Sequence, residues 1–315
     1  MKTHNQIEHN IHKPTFKRIS AQDLPILSKF FAKYPSRSCD FSIGGVLMWV
    51  DYYDYEMAIF NESLFIRGKD PVSGNMIYYR PIGPLMEDES IRLIYENSPE
   101  ICNTKVLLPF ETLCDDDTAS GISCDTDLRE YLYPIDRFLH FSGKKMEKKR
   151  NHLNFFNNNY PEASVEPISA ANVEELIEFT RKFAAEHEDS SLCVYENTQT
   201  INVLKDFDFY PFEGIAIRLD GNIIGYTFGE KIGDTFFVHV EKGDICYRGI
   251  YQALASQMSQ AVNQRYPDVK YLNREEDMGD ESLRQSKMSY HPTLFVNKRI
   301  IRIAVLNEES LLRIA

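Results

Sequence analysis

Two short segments of this 315-residue chain carry residue types that could do chemistry. The first is Val238-His239-Val240-Glu241-Lys242, preceded by Phe236 and Phe237. Side chains alternate along a strand, which predicts Phe237, His239 and Glu241 on one face and Phe236, Val238 and Val240 on the other. His239 ordinarily titrates near neutrality and suits a general base. Glu241 suits the same task if burial raises its pKa, and otherwise suits the orienting of an ammonium group. Lys242 suits a carboxylate, a phosphate or a developing oxyanion. The competing reading is a hydrogen-bonded His239–Glu241 pair on a half-buried strand, because ion pairs imitate sites.

The second segment runs from Asn273 to Pro292 and follows the strand-like Val269-Lys270-Tyr271-Leu272. It holds five carboxylates and three cations, and reads as a strand end, an acidic loop and a short helix. Gly279 supplies a permissive backbone before the helix, and Pro292 bars its continuation. Asp280 and Arg284 are four apart, and Arg284 and Lys287 three apart, so they share a helix flank. Glu275 and Asp277, alternating past the strand, suit a cationic substrate group, while Arg284 and Lys287 suit a phosphate. The alternative for all four is mutual neutralisation. A third candidate is the basic run Lys144, Lys145, Lys148, Lys149, Arg150, whose lysines recur four apart as on a helix. It is a phosphate-binding face or a solvated one.

The elements that must position these groups occur twice. Ile19-Ser20-Ala21 and Ile168-Ser169-Ala170 are identical, and Leu27, Phe30 and Lys33 recur as Leu176, Phe179 and Lys182 without gaps. Each copy predicts a strand, a cap and an amphipathic helix, with Asn172 and Glu175 forming a capping box in the second. Residues 214–219, 223–229 and 235–240 then predict a meander around Asp/Gly turns. A long helix follows over 247–266, with Ile250, Leu254, Met258, Ala261 and Val262 as its apolar stripe, and then a strand at 269–273. The first half repeats the order: strands at 57–60, 64–67 and 76–80, a helix at 90–97 and a strand at 104–109.

Composition narrows the setting. A hydrophobic content of 43% supports a large core. No run of about eighteen apolar residues exists to span a membrane, and the polar first ten residues do not read as a signal peptide. The six cysteines lack a Cys-x-x-Cys pair, which fits free thiols in a cytoplasmic protein better than disulfides or zinc. His and Cys never come at ligand spacing, so no metal is expected. A net charge of −12 requires any polyanionic partner to meet a local basic patch.

Asn273-x-Glu275-x-Asp277-x-Gly279, then Leu283-Arg284-x-x-Lys287 and Tyr290-x-Pro292, resembles the hallmark of the phosphatidylglycerol lysyltransferase C-terminal domain family. Two further blocks agree with it. One is Tyr131-Leu132-Tyr133 with Phe141-Ser142-Gly143-Lys144-Lys145 and Lys148-Lys149-Arg150-Asn151-His152. The other is Val238 to Lys242 with Gly249-Ile250-Tyr251-Gln252-Ala253. Together they cover roughly the C-terminal 60% of the chain. The element order likewise matches the GCN5-related N-acyltransferase fold. The expectation is therefore an α+β protein of two tandem domains of that fold, each a mixed, mostly antiparallel sheet flanked by helices. Residues 1–160 would form a structural domain and 161–315 the domain carrying the site, a plan shared with the aminoacyl-tRNA-dependent transferases that build peptidoglycan bridges.

The resemblance implies transfer of an aminoacyl group from aminoacyl-tRNA to an amine or hydroxyl acceptor, which is a small molecule, a peptide or a lipid head group. It places His239, Glu241 and Lys242 in the chemistry, Tyr251, Asn273, Glu275, Asp277, Arg284 and Lys287 around the substrate, and Lys145, Lys149 and Arg150 on tRNA. Membrane members of the family carry a transmembrane portion, and its absence here favours a soluble or peripheral acceptor. Two other readings stay open. An acyl-CoA donor would need Arg248 and Gly249 to hold a pyrophosphate at the start of the long helix. Bulky Ile250 and Tyr251 oppose that, and the matching segment of the first half, Pro84 to Glu89, puts carboxylates there. The other is a non-catalytic binding protein. No cofactor is firmly implied.

Overall fold

A computed structural model describes residues 13–98, 104–113, 125–186 and 190–303. The first repeat comprises β1 (Lys17–Arg18), α1 (Leu24–Lys33), α2 (Ile43–Leu47), β2 (Glu56–Phe60), β3 (Ser63–Lys69), β4 (Met76–Tyr79), α3 (Glu87–Asn97), β5 (Lys105–Leu113) and β6 (Glu130–Pro134). Two helices, α4 (Ile135–His140) and α5 (Glu147–Asn159), lead to the second repeat. That repeat begins with β7 (Ser164–Pro167), α6 (Val173–Glu186), α7 (Ser191–Lys205), β8 (Glu213–Leu219) and β9 (Asn222–Ile232). It continues with β10 (Thr235–Gly243), α8 (Ile250–Arg265), β11 (Tyr271–Glu276), α9 (Glu281–Met288) and β12 (Leu294–Arg302).

The Ile-Ser-Ala identity has a physical basis. Ile19 and Ile168 are both buried. The backbone N–H of each following serine donates 3.0 Å to a side chain three residues on, Asp23 in one repeat and Asn172 in the other. The expected capping box at Glu175 is not formed, because that carboxylate pairs instead with Arg218. Along α8 the stripe is Ile250, Leu254, Met258 and Val262, all buried, and each contributes about 1.5–3 kcal/mol by leaving water. Ala261 is exposed.

The two repeats share one twelve-stranded sheet in the order β1-β2-β3-β4-β5-β12-β6-β11-β10-β9-β8-β7. Neighbours are antiparallel except for β4–β5 and β10–β11, the corresponding pair in each repeat. The final strands are exchanged. β12 lies along β5 from Leu294 opposite Leu113 to Arg302 opposite Lys105, while β6 pairs with β11. The expected division at 160/161 falls between α5 and β7, but packing does not respect it. Tyr131, Tyr133, Phe138 and Phe156 belong to a core with Leu254, Met258 and Phe295, and Ile303 is buried among Phe65, Ile91 and Val106 of the first repeat.

The described cysteines, Cys39, Cys193 and Cys246, are free thiols; positions 102, 114 and 124 lie outside the described residues. Among those residues no helix is long and apolar enough to cross a membrane.

Strand exchange makes a test. Cutting at 160/161 strips β5 of β12 and β11 of β6, leaving unpaired edges in both pieces. Fragments 1–160 and 161–315 should each lack a cooperative thermal transition by circular dichroism and regain one on mixing. A sharp transition in either fragment alone would contradict the exchange.

Candidate functional site

The candidate site lies where β10 and β11 part. They pair only from Thr235 opposite Tyr271 to Phe237 opposite Asn273. Beyond that point β10 follows β9 and β11 follows β6, which opens a wedge. Two irregularities shape the wedge. On β10 the register slips between Val238 and Val240, so His239 is a bulge residue. Gly229 permits the bulge, since a Cβ there would lie 1.8 Å from the Phe237 carbonyl oxygen. The slip breaks the expected alternation. Phe237 and Val240 now face one core, and Phe236 and Val238 the other. Glu241 therefore points away from His239, and the two do not pair.

On β11 the backbone kinks at Glu275, which has a φ of 57°, a left-handed conformation costing a non-glycine residue roughly 1–2 kcal/mol. Asn273 holds the kink. Its Oδ1 accepts the Glu275 N–H at 2.7 Å, and its Nδ2 donates to the Arg37 carbonyl at 2.7 Å and Glu130 at 2.5 Å. The carbonyls of Arg274, Glu275 and Glu276 converge on Lys287 Nζ at 2.5, 3.1 and 2.6 Å. Their side chains then diverge, Arg274 to Glu241 at 2.6 Å, Glu275 to His239 at 2.7 Å, and Glu276 to Lys298.

The His239 side chain is 2% exposed. Its Nδ1 meets Glu275 and its Nε2 meets Glu230 at 2.9 Å. Glu230 also accepts the Gly44 N–H. Burial pushes the imidazole down, but its hydrogen bonds to the two carboxylates prevail and hold it at about 9. A charged ring with both nitrogens engaged does not fit the expected general base. Lys242 is buried against α6 and α7, donating 2.7 Å to Glu196 beneath the Phe183 ring, and it does not enter the wedge.

On the opposite face Glu241 (9% exposed side chain) and Arg274 (17%) bridge the wedge. Burial raises the Glu241 carboxyl, opposed by Arg274 and Lys287. The Tyr290 ring carries Arg274 on its face at 4.8 Å and Lys149 at 3.8 Å, and its hydroxyl accepts from Gln252 at 2.7 Å. Tyr251 packs nearby, its phenol raised by burial and by Glu241. Lys149 has no carboxylate partner among the described residues, and burial with Arg274 alongside lowers it to about 8. His152 is lowered by burial, then by Arg248 and Lys149. Arg274 is compensated by Glu241, whereas Lys149 and Arg248 have no carboxylate partner among the described residues. Arg274, Tyr290 and Gln252 were not singled out from sequence, although Arg274 and Tyr290 sit inside the quoted hallmark.

The remaining candidates have structural partners. Asp277, fully buried, accepts from Tyr131, the Gly279 N–H and Arg284 Nε at 3.0 Å. Arg284 also bonds Asp127 at 2.7 Å, and Asp280 caps α9 through the Leu283 N–H; the pairing of Asp277 with Arg284 is the mutual neutralisation held open above, and Arg284 is not free for phosphate. Lys287 is likewise committed to the kink, while the Tyr133 hydroxyl donates to its carbonyl. Lys145, with Lys144, precedes α5 as an exposed turn residue rather than lying on the helix. Arg150 pins that turn through the Phe141 and Gly143 carbonyls.

Cys39, Glu130 and Glu276 come within 4.8 Å of one another, a cluster that sequence spacing could not reveal because its members are far apart in the chain. It already holds an internal cation, Lys298, bonded to Asp40 at 2.9 Å and Glu130 at 3.5 Å. Burial pushes Glu130 up to about 8, with Lys298 opposing. Gly249, the one glycine of the presumed phosphate loop, has φ 93°. A Cβ there would lie 2.3 Å from the His152 carbonyl, so helix packing against α5 already accounts for it.

A histidine raised in the folded state stabilises below its unfolded pKa, near 6.5, and loses that contribution as pH rises through the folded value. Thermal melting of wild type and His239→Gln should therefore differ most below pH ~6.5 and converge toward pH 9, with a contribution on the order of 3 kcal/mol disappearing. A gap independent of pH would contradict a charged His239.

The chain resembles several known proteins. A conserved protein of unknown function from Bacteroides thetaiotaomicron VPI-5482 has 26% identity and a TM-score of 0.79, covering 91% of this chain and 98% of that one. The C-terminal domain of a putative lysylphosphatidylglycerol synthetase from Agrobacterium fabrum superposes with a TM-score of 0.59 at 12% identity, covering 93% and 94%. FemX does so with 0.56 at 10% identity, covering 95% and 99%. These two likenesses show that the fold is shared across nearly the whole of each chain. An uncharacterised protein of Mycoplasmoides gallisepticum is 26% identical over 174 residues, or 55% of this chain, which thus spans about half (56%) of that relative. A family model described as phosphatidylglycerol lysyltransferase, C-terminal, matches residues 31–300, and the chain belongs to that family.

Proposed function

We propose that this protein transfers an aminoacyl group from aminoacyl-tRNA to an amine or hydroxyl acceptor. Family membership supports acyl-transfer chemistry of the aminoacyl kind, and one observation carries the reading to a place. A nearly buried Glu241 crosses the wedge between two diverging parallel strands to Arg274, near Lys149, which has no carboxylate partner among the described residues.

The donor ester is already activated, so the protein must position it and manage the acceptor's proton. Glu241 has the burial and the raised pKa to take that proton, or to hold the donor ammonium. Arg274 orients the carboxylate and limits the rise. Lys149 and Arg248, at one end of the wedge, attract phosphates of the tRNA terminus, which a chain of net charge −12 can do only through such a patch. Tyr251 and Tyr290 wall the space between. This donor places the reaction in the cytoplasm. The acyl-CoA alternative draws less support, because the loop before α8 offers no glycine that packing does not already require.

The test is a transfer assay with a radiolabelled pool of aminoacyl-tRNAs and cell extract as acceptor. Wild type should move label off tRNA, and Glu241→Gln, with an unchanged melting temperature, should slow transfer by about 100-fold or more. No transfer by folded wild type, or an unaffected rate in the variant, would overturn the assignment.

A further inference from the structure

The first repeat keeps its own wedge, and that wedge is open. β4 and β5 pair in parallel from Ile77 opposite Lys105 to Tyr79 opposite Leu107. β4 then ends, while β5 runs on beside β12. Where the second repeat bridges the corresponding gap with Glu241–Arg274 and His239–Glu275, the first leaves a cleft of about 530 Å³. Arg80, Pro109 and Phe110 form one wall, and Arg37 with Asp234 the other. A second hollow of about 390 Å³ runs from the same Arg80 toward the start of α3.

The charges around the cleft are paired off, with one exception. Arg37 bonds Asp234 through Nε at 3.0 Å and Nη2 at 2.7 Å, and Glu111 at 2.7 Å, and it lies over the Tyr271 ring. Glu87 is held by Arg299 at 2.6 Å. The Arg80 guanidinium has no such partner among the described residues, though it stands where both hollows meet. A guanidinium fork at the junction of two hollows matches a carboxylate in geometry as well as charge. The neighbouring helix end narrows the choice of anion. The first turn of α3 carries Glu87, Asp88 and Glu89, and three carboxylates there repel a polyphosphate more than a single charge.

We propose that this cleft is a second ligand site, taking a small molecule with one carboxylate on Arg80 and an apolar body along Pro109 and Phe110. The α-carboxylate of an N-blocked amino acid, or of the last residue of a peptide, has that chemistry. The site is built by both repeats, since Gly233 and Asp234 of the β9–β10 turn close it. It is also joined to the kink of β11, because the Arg37 carbonyl accepts from Asn273.

Calorimetric titration of the whole chain with N-acetylphenylalanine and with its carboxamide tests the proposal. The acid should bind, and the amide at least about tenfold more weakly, as expected for losing a charged hydrogen-bond partner. Arg80→Met, an exposed change that leaves the core intact, should weaken the acid by a similar factor, and Arg80→Lys should restore part of it. Equal binding of acid and amide, indifference to Arg80→Met, no binding of the acid at tens of millimolar, or tighter binding of pyrophosphate would each overturn it.

Discussion

One ammonium group shapes the centre of this molecule. Lys287 is 8% exposed and gives its Nζ to three consecutive carbonyls of β11. Those carbonyls can converge only because Glu275 adopts a left-handed backbone. Lysine thus does what a bound cation would do elsewhere, gathering backbone oxygens around a bend that the chain would otherwise resist. Burial and the nearby Arg274 lower it to about 8, which reflects how costly it is to place a cation there. Removing it would strand buried carbonyls at about 1–3 kcal/mol each. The kink in turn sends three neighbouring side chains in three directions: one braces Glu241, one traps His239, and one joins the Lys298 cluster beneath the loop at Cys39.

Around that bend the duplication has diverged in a physically intelligible way. Both repeats place one parallel strand pair in an otherwise antiparallel sheet, and both pairs part after three residues. In the second repeat the gap is crossed by charged pairs and flanked by cations with no carboxylate partner among the described residues; in the first it stays hollow. Exchange of β6 and β12 places the two gaps on one continuous sheet. Arg37, anchored to Asp234 of one repeat and Glu111 of the other, stands between them.

Much of the framework is legible in the sequence because it is local. Turn glycines, the Ile-Ser-Ala caps and the four-residue stripe of α8 each depend on near neighbours. The hallmark residues are legible in the sequence, but their contacts are not, and the causes are specific. Alternation put His239 and Glu241 together, and a single bulge residue separated them; the glycine permitting that bulge sits on another strand, at 229. Arg284 pairs with nearby Asp277, as mutual neutralisation within the segment would have it, but its second partner Asp127 and the carbonyls that hold Lys287 depend on the fold. The Tyr131-Leu132-Tyr133 block carries no charge. It matters because β6 crosses into the other repeat, where Tyr131 reaches Asp277 and Tyr133 reaches the Lys287 carbonyl. Strand exchange leaves no periodic signal, and neither does the Lys298 cluster, whose members come from four distant segments.

If the proposed transfer is the protein's activity, the Lys287-centred kink serves it by placing Glu241 through Arg274. A double-mutant cycle on aminoacyl transfer, with Lys287→Met and Glu241→Gln measured singly and together below the melting point of every variant, tests it most directly. Strong non-additivity is predicted, with Glu241→Gln costing little once the kink is gone. Additive losses would contradict it, leaving Lys287 a stabiliser of the fold with no part in holding the reactive carboxylate.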